Sequence, residues 1–277
     1  MPIVTVSRGT MSGGTALAEC AAKALGSPCL AREVLVSAAT ALGVSEQFLK
    51  ERIERAPGLW ERLGAERKTY VLAVQAALAE HVAKGDAVYH GLAGHLLLRD
   101  IPQVIRLRLI APLETRVRAL MEQRGMTRDG AERFIAQVDQ QRARWTRLMY
   151  NADIEDPRLY DLVINLDKTS LESACAVVVT MARRPEFMID DAARAGLTDF
   201  ALACKVRLAL AVQPASRGLE LEVTARSGVV TLAGKVPKPD MLTHASDRWI
   251  GELRKVVEEV PGVKKVVLDV NLVSAYT

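Results

Sequence analysis

The chain has 277 residues, 49% apolar and 25% charged. That composition supports a real core, excludes collagenous and intrinsically disordered chains, and at roughly 150 residues per domain allows one large or two modest domains. The 37 Lys and Arg against 33 Asp and Glu leave a net charge of +4, too small an excess to imply a nucleic-acid partner. In chain order, the apolar run Ile3 to Val6 reads as a strand. The small-residue segment Ser7 to Gly14 follows as a loop, and an Ala/Leu-rich helix runs to about Leu25, where Gly26 ends it. Helices are expected from Ser45 to Pro57 and from Ala65 to Lys84. Ala87 to Gly91 and Val104 to Ile110 read as strands. Pro112 opens a helix that Gly125 closes, and Thr127 opens a long charged helix to about Tyr150. Leu162 to Asn165 is a further strand, and Ser170 starts a helix to about Arg183. Strands alternating with helices predict an α/β domain with a parallel sheet.

A boundary is expected between Arg183-Arg184-Pro185 and Asp190-Asp191, giving domains over 1–187 and 190–277. Past it come a helix (Ala192 to Val212), strands at Glu220 to Thr224 and Val229 to Val236 joined by a tight Ser227-Gly228 turn, a helix from Met241 to Val260, and a last strand from Val266 to Val273. The order αββαβ fits one small α+β domain. No stretch reaches the roughly 18 to 20 unbroken apolar residues of a membrane helix, so no transmembrane segment is expected. The start MPIVTVSRGT does not read as a secretory leader. Cys20, Cys29, Cys175 and Cys204 are far apart without a CxxC, so reduced thiols in a cytoplasmic protein are expected, with neither disulfide framework nor zinc site.

A strand, a glycine loop and a helix N-terminus together form an anion site, because backbone N–H groups and the helix dipole both favour phosphate. Ser12, Gly13, Gly14 and Thr15 are best placed to cradle it, and Thr15 stands where a P-loop Ser/Thr holds Mg²⁺. Four segments, VSRGTMSGGTALAECAAKALG, DAVYHGLAGHLLL, the stretch from VIRLRLIAPLE to RARWTRLMY, and DPRLYDLVINLDKTSLESA, carry a resemblance to the cytidylate-kinase-like family of P-loop kinases over about residues 3 to 183. The resemblance implies a P-loop nucleoside-monophosphate-kinase-like parallel sheet with flanking helices. It implies ATP with Mg²⁺ as cofactors and an acceptor such as CMP. Asp139, Arg142, Arg144 and Arg147 match the family's D-x-x-R-x-R-x-x-R pattern and are the catalytic candidates. Arg124 and Arg128 fit a lid tip, and Arg8 joins the loop residues as a nucleotide-binding candidate. Such arginines stabilise the charge of a transferring phosphoryl group, whereas on a solvated helix face they would only form ion pairs such as Asp139 with Arg142. Arg142 and Arg144 are two residues apart and diverge by about 200° on a regular helix, so both cannot face one phosphate.

The sequence departs from a full Walker loop. Gly14 stands where the lysine should be, and Arg8 where the first glycine should be. In the second segment Gly91-Leu92-Ala93 replaces the family's G-R-G, and His90 and His95 lie nearby. Three functions therefore stand open: a kinase moving phosphate from ATP to a nucleoside monophosphate or related small molecule, a catalytically degenerate nucleotide sensor or regulatory protein signalling through the tail, or an assembly protein in which both halves serve protein contacts. The tail resembles a BON domain through SGVVTLAGKV and VPGVKKV. That resemblance implies a binding module for a protein or an anionic surface, with Lys235, Lys238, Lys264 and Lys265 as the basic patch and Trp249 in the core. A homo-oligomer is also expected.

Overall fold

The computed structural model describes residues 2–31, 64–91, 93–213, 216, 219, 221–237 and 243–273, with the backbone alone at 64–67, 237, 243–249 and 272–273. The helix expected from Ser45 to Pro57, together with Leu92 and Lys238, lies outside the described residues. The elements run β1 (Ile3–Arg8), α1 (Gly14–Leu25), β2 (Cys29–Ala31), α2 (Gly64–Ala83), β3 (Ala87–His90), α3 (Gly94–Leu97), β4 (Val104–Ile110), α4 (Leu113–Arg124), α5 (Arg128–Tyr150), β5 (Leu162–Asn165) and α6 (Leu171–Ala182). Then follow α7 (Asp191–Val212), β6 (Glu222–Arg226), β7 (Val229–Pro237), α8 (Thr243–Glu258) and β8 (Lys265–Val273). The chain divides into two compact units. Among the described residues one holds 2–31 and 84–190, and the other holds 64–83 and 191–273. Helix α2 thus belongs to the second unit, where it packs along α7.

The first unit is built on a parallel sheet in the order β2-β3-β1-β4-β5. β1 lies between β3 and β4, with Ile3 opposite both Ala87 and Val104. The direction of winding reverses at β1, so the crevice beyond its carboxyl end is the topological switch point where open α/β sheets bind ligands. Alternation along the strands sends Val4, Val6, Val88, Ile105, Leu107 and Leu109 to one face. Leu17, Ala18 and Ala21 of α1 and Ala174, Val178 and Ala182 of α6 cover that face. Leu17 is fully buried, and a large-to-small change there costs about 2–5 kcal/mol. Side-chain caps fix where two helices start. Thr127 accepts from the Gly130 N–H ahead of α5, and Ser170 accepts from the Ser173 N–H ahead of α6.

The second unit contains a three-stranded sheet, β6-β7-β8, with β6–β7 antiparallel and β7–β8 parallel. Ser227 and Gly228 form the two-residue hairpin loop, with φ of 52° and 87°. Both are positive, as a primed hairpin turn requires. Leu202, Val206 and Leu210 of α7 pack with Val223, Val230, Leu232, Leu253, Val257 and Val266 into a separate core. Its element order from α7 onward is the expected αββαβ.

Candidate active site

The loop after β1 is tied down by its own polar groups. The Gly9 N–H donates to the Leu109 carbonyl, and the Ser12 N–H donates to the Gly9 carbonyl. The Ser12 hydroxyl, itself buried, donates to Gly9 O at 2.9 Å and Leu109 O at 3.2 Å. Met11 takes a left-handed conformation, φ 61°, and packs against the cluster Val117, Leu120, Ala131 and Ile135 of α4 and α5. Gly13 caps α1 at φ 81°, a conformation glycine adopts without strain. The first bond of α1 runs from the Leu17 N–H to the Gly13 carbonyl. The amides of Gly14, Thr15 and Ala16 therefore precede any intrahelical acceptor, and the positive end of the helix dipole lies with them. Gly13 and Thr15 are exposed to solvent. This donor set suits a phosphate.

Gly14 is buried, and a Cβ there would fall into the Arg8 side chain, 2.8 Å from its Cβ and 3.0 Å from its Cγ. The stem of Arg8 therefore fills the space in which a side chain at position 14 would begin. Arg8 is the last residue of β1, and its Nη1 lies 3.3 Å from His90 Nδ1. The cation of this loop arises from the strand end rather than from the helix.

Asp139 holds the loop from α5. It accepts from the Thr10 N–H at 2.9 Å and the Thr10 hydroxyl at 2.7 Å, and it pairs with Arg116. Arg116 Nε donates to the Thr10 carbonyl at 2.7 Å. Burial works against the charged form of Asp139, but the Thr10 bonds and the Arg116 guanidinium outweigh it and hold its pKa below the ordinary carboxylate range. The Asp139–Arg142 pair of a merely solvated helix face is not formed, since Asp139 takes Thr10 and Arg116 as its partners. Arg142 instead donates through Nη1 to the Arg8 carbonyl at 3.4 Å. Ala131, Ile135, Asp139 and Arg142 are spaced by four, four and three residues, so one face of α5 carries them to the loop. Arg144 is exposed, and Arg147 pairs with Asp153 at 3.3 Å in solvent. Arg124 stacks on the Phe134 ring at 5.0 Å, and Arg128 pairs with Glu114 and Glu132 at the α4–α5 corner. The structure thus gathers Arg8, Ser12, Gly13, Gly14, Thr15, Asp139 and Arg142 at the loop and leaves Arg124, Arg128, Arg144 and Arg147 with other contacts or solvent. Arg116 has no sequence signal beyond its place one turn after Pro112.

Asp139→Asn should lower stability by about 1.5–3 kcal/mol, since it weakens charge-assisted hydrogen bonds. The depressed pKa means that the wild-type contribution is present above the unfolded value of about 3.9 and is lost as pH falls through the folded one. Chemical denaturation at pH 7 and pH 3 should show the wild type converging on the variant at the lower pH.

The opposite face of the sheet carries a buried polar cluster. The His95 and Tyr160 rings lie 4.7 Å apart, and the Tyr160 hydroxyl donates to Ile154 O at 2.8 Å. The Arg108 guanidinium lies over the same ring at 5.7 Å. His95 is 1% exposed, and neither ring nitrogen has a hydrogen-bond partner. Burial first, then Arg108 and Arg106, lower its pKa to about 3. Below pH about 6.5 the unfolded chain takes up a proton that the folded chain refuses, so stability falls by about 1.4 kcal/mol per pH unit toward the folded value. His95→Phe should remove this part of the slope between pH 6.5 and 5, as urea melts would show.

The structure corrects the expectation of four reduced thiols. Cys20 of α1 and Cys175 of α6 form a disulfide, while Cys29 and Cys204 are free. Packing on one face of the sheet brings together two residues 155 apart in sequence. Among the described residues no group of three His, Cys, Asp or Glu could hold a metal ion, and no helix is long and apolar enough to cross a membrane.

Residues 3–168 match the cytidylate kinase-like family. Among solved structures, an uncharacterized protein from Eubacterium ventriosum ATCC 27560 is 18% identical, with 66% of this chain and 100% of that chain covered and a TM-score of 0.52. The protein TT1252 from Thermus thermophilus is 21% identical over 65% of this chain and 97% of its own, with a TM-score of 0.42. A shikimate kinase from Bacteroides thetaiotaomicron is 14% identical over 66% and 99%, with a TM-score of 0.38. None of the curated proteins matches the chain. The family match spans more than half of the chain and includes every strand of the parallel sheet and the loop after β1; this chain belongs to the cytidylate kinase-like family.

Proposed function

We propose that the chain binds a nucleoside triphosphate at the loop after β1 and transfers its terminal phosphate to a nucleoside monophosphate or a related small molecule. The observation that carries this reading is Arg8 lying against Gly14, its stem in the space where a side chain at position 14 would begin. The loop thus keeps a cation despite lacking the lysine. The amides of Gly14, Thr15 and Ala16 hold the phosphates, and Arg8 neutralises them. Arg142, hydrogen-bonded to the Arg8 carbonyl, stands next in line for the transferring group. Asp139 and Arg116 act as positioning residues for the loop. Mg²⁺ fits here only with the exposed Thr15 hydroxyl, phosphate oxygens and water as ligands, and it would supply charge neutralisation. Ser12 is committed to the loop backbone.

A nucleotide sensor without turnover is the second reading. It is favoured by Asp139, whose carboxylate is committed to Thr10 and Arg116 rather than left for a metal ion or an acceptor. In either case the second unit serves as a BON-like module in a cytoplasmic homo-oligomer, with the exposed Lys235, Lys264 and Lys265 meeting a protein or an anionic surface. A phosphoryl-transfer assay with Mg²⁺ and ATP against CMP, dCMP, UMP and AMP separates the two readings. The kinase reading expects a diphosphate product from one acceptor. ATP binding without product from any acceptor would leave the sensor reading in its place.

A further inference from the structure

Within the second unit, α2, the end of α7 and the entry to β6 line a partly open cavity of about 110 Å³. It is larger than a water site and somewhat smaller than an engineered cavity of about 150 Å³ that accepts benzene. Leu72, Leu210, Leu221 and Val223 give it apolar walls, while Lys68 and Arg207 add two cations, and among the described residues no carboxylate lines it. Arg207 spends one guanidinium nitrogen on the Val223 carbonyl at 3.0 Å and another on the Cys204 sulfur at 3.8 Å. Neither interaction offsets its charge. Lys68 is exposed and pairs with no carboxylate among the described residues. Elsewhere on the same two helices a Lys is neutralised directly, Lys205 by Glu80 at 3.1 Å. A half-buried guanidinium without a counter-ion is costly unless an anion completes it.

We propose that this cavity is a binding site for a short-chain aliphatic carboxylate, with the carboxylate held by Arg207 and Lys68 and the alkyl tail against Leu72, Leu221 and Val223. The cavity volume limits the tail to a few carbons, and two unpaired cations beside apolar walls select an amphipathic anion over an alcohol or a bare ion. The guanidinium N–H donors not spent on Val223 and Cys204 are left for the carboxylate oxygens.

The test uses the full chain and butyrate, with saturation-transfer NMR and isothermal titration at pH 7, and acetate and butanol as controls. Butyrate is expected to bind saturably, and acetate and butanol at least about tenfold more weakly, as loss of the tail or of the charge-assisted bonds implies. Arg207→Gln should weaken butyrate about tenfold, and Arg207→Lys should retain part of the affinity. Ala211→Phe, which fills the cavity and leaves both cations in place, should abolish binding with the thermal unfolding transition intact. The proposal is overturned if butyrate does not saturate, if butanol binds as tightly as butyrate, or if Ala211→Phe binds butyrate like the wild type.

Discussion

Replacing Arg8 by alanine should lower kcat/KM for phosphoryl transfer from ATP by at least about a hundredfold, or about 2.7 kcal/mol of transition-state stabilisation. In the proposed function Arg8 supplies the charge at the loop, and its stem occupies the space beside Gly14. Restoring the missing lysine alone should therefore fail. Gly14→Lys drives a Cβ into the Arg8 stem, and overpacking of this kind costs about 1–3 kcal/mol. The two changes are coupled, because each determines the room left for the other. The double variant Arg8→Ala with Gly14→Lys should recover activity over Arg8→Ala, and it should be more stable than Gly14→Lys alone. Steady-state kinetics and thermal melts on the four proteins measure both effects. Additive losses in activity would show that the cation at position 8 does not act in the lysine's place.

Reduction of the Cys20–Cys175 disulfide should be the largest single loss of stability in the first unit. The crosslink closes a loop of 155 residues, and the chain-entropy model gives about 5 kcal/mol for a loop of that size. Calorimetry with and without reductant should show the melting temperature fall by about 10 °C or more. Cys20→Ser should fall equally and respond no further to reductant. Thiol titration under denaturing conditions should find two reactive thiols, Cys29 and Cys204. Four thiols in protein kept under cytoplasmic redox conditions would mean that the bond stays open there. The disulfide joins α1, which begins at the loop after β1, to α6 on the same face of the sheet. Nucleotide affinity compared in the two redox states reads that coupling directly.

The first sheet was legible wherever a local signal marked it. Gly26 ends α1, Pro112 precedes α4, and Thr127 and Ser170 cap α5 and α6. The alternation of Arg106 and Arg108 in β4 marked a strand, but not that Arg108 lies over Tyr160 beside the buried His95 while Arg106 pairs with Asp161. β2 has three residues, too few for a period to show. The Ala-rich α2 was legible as a helix but not as a partner of α7, since apolar composition does not say which core a helix joins. The D-x-x-R spacing placed Asp139 and Arg142 on one face of α5. Their partners, Thr10, Arg116 and the Arg8 carbonyl, come from other elements and leave no trace at that spacing. Cys20 and Cys175 met for the same reason, through packing of two helices on one face. The absent lysine was plain at Gly14. The Arg8 stem in its space became visible only when the backbone brought β1 and α1 together.

The most direct test of the central claim is a calorimetric titration of ATP with Mg²⁺ into the wild type and Arg8→Ala, with AMP as a second ligand. Binding of ATP by the wild type is predicted, with a loss of at least about tenfold in the variant from the missing charge-assisted contacts to the outer phosphates, and a smaller loss for AMP. Equal ATP affinity in the two proteins, or no ATP binding by the wild type, would contradict it.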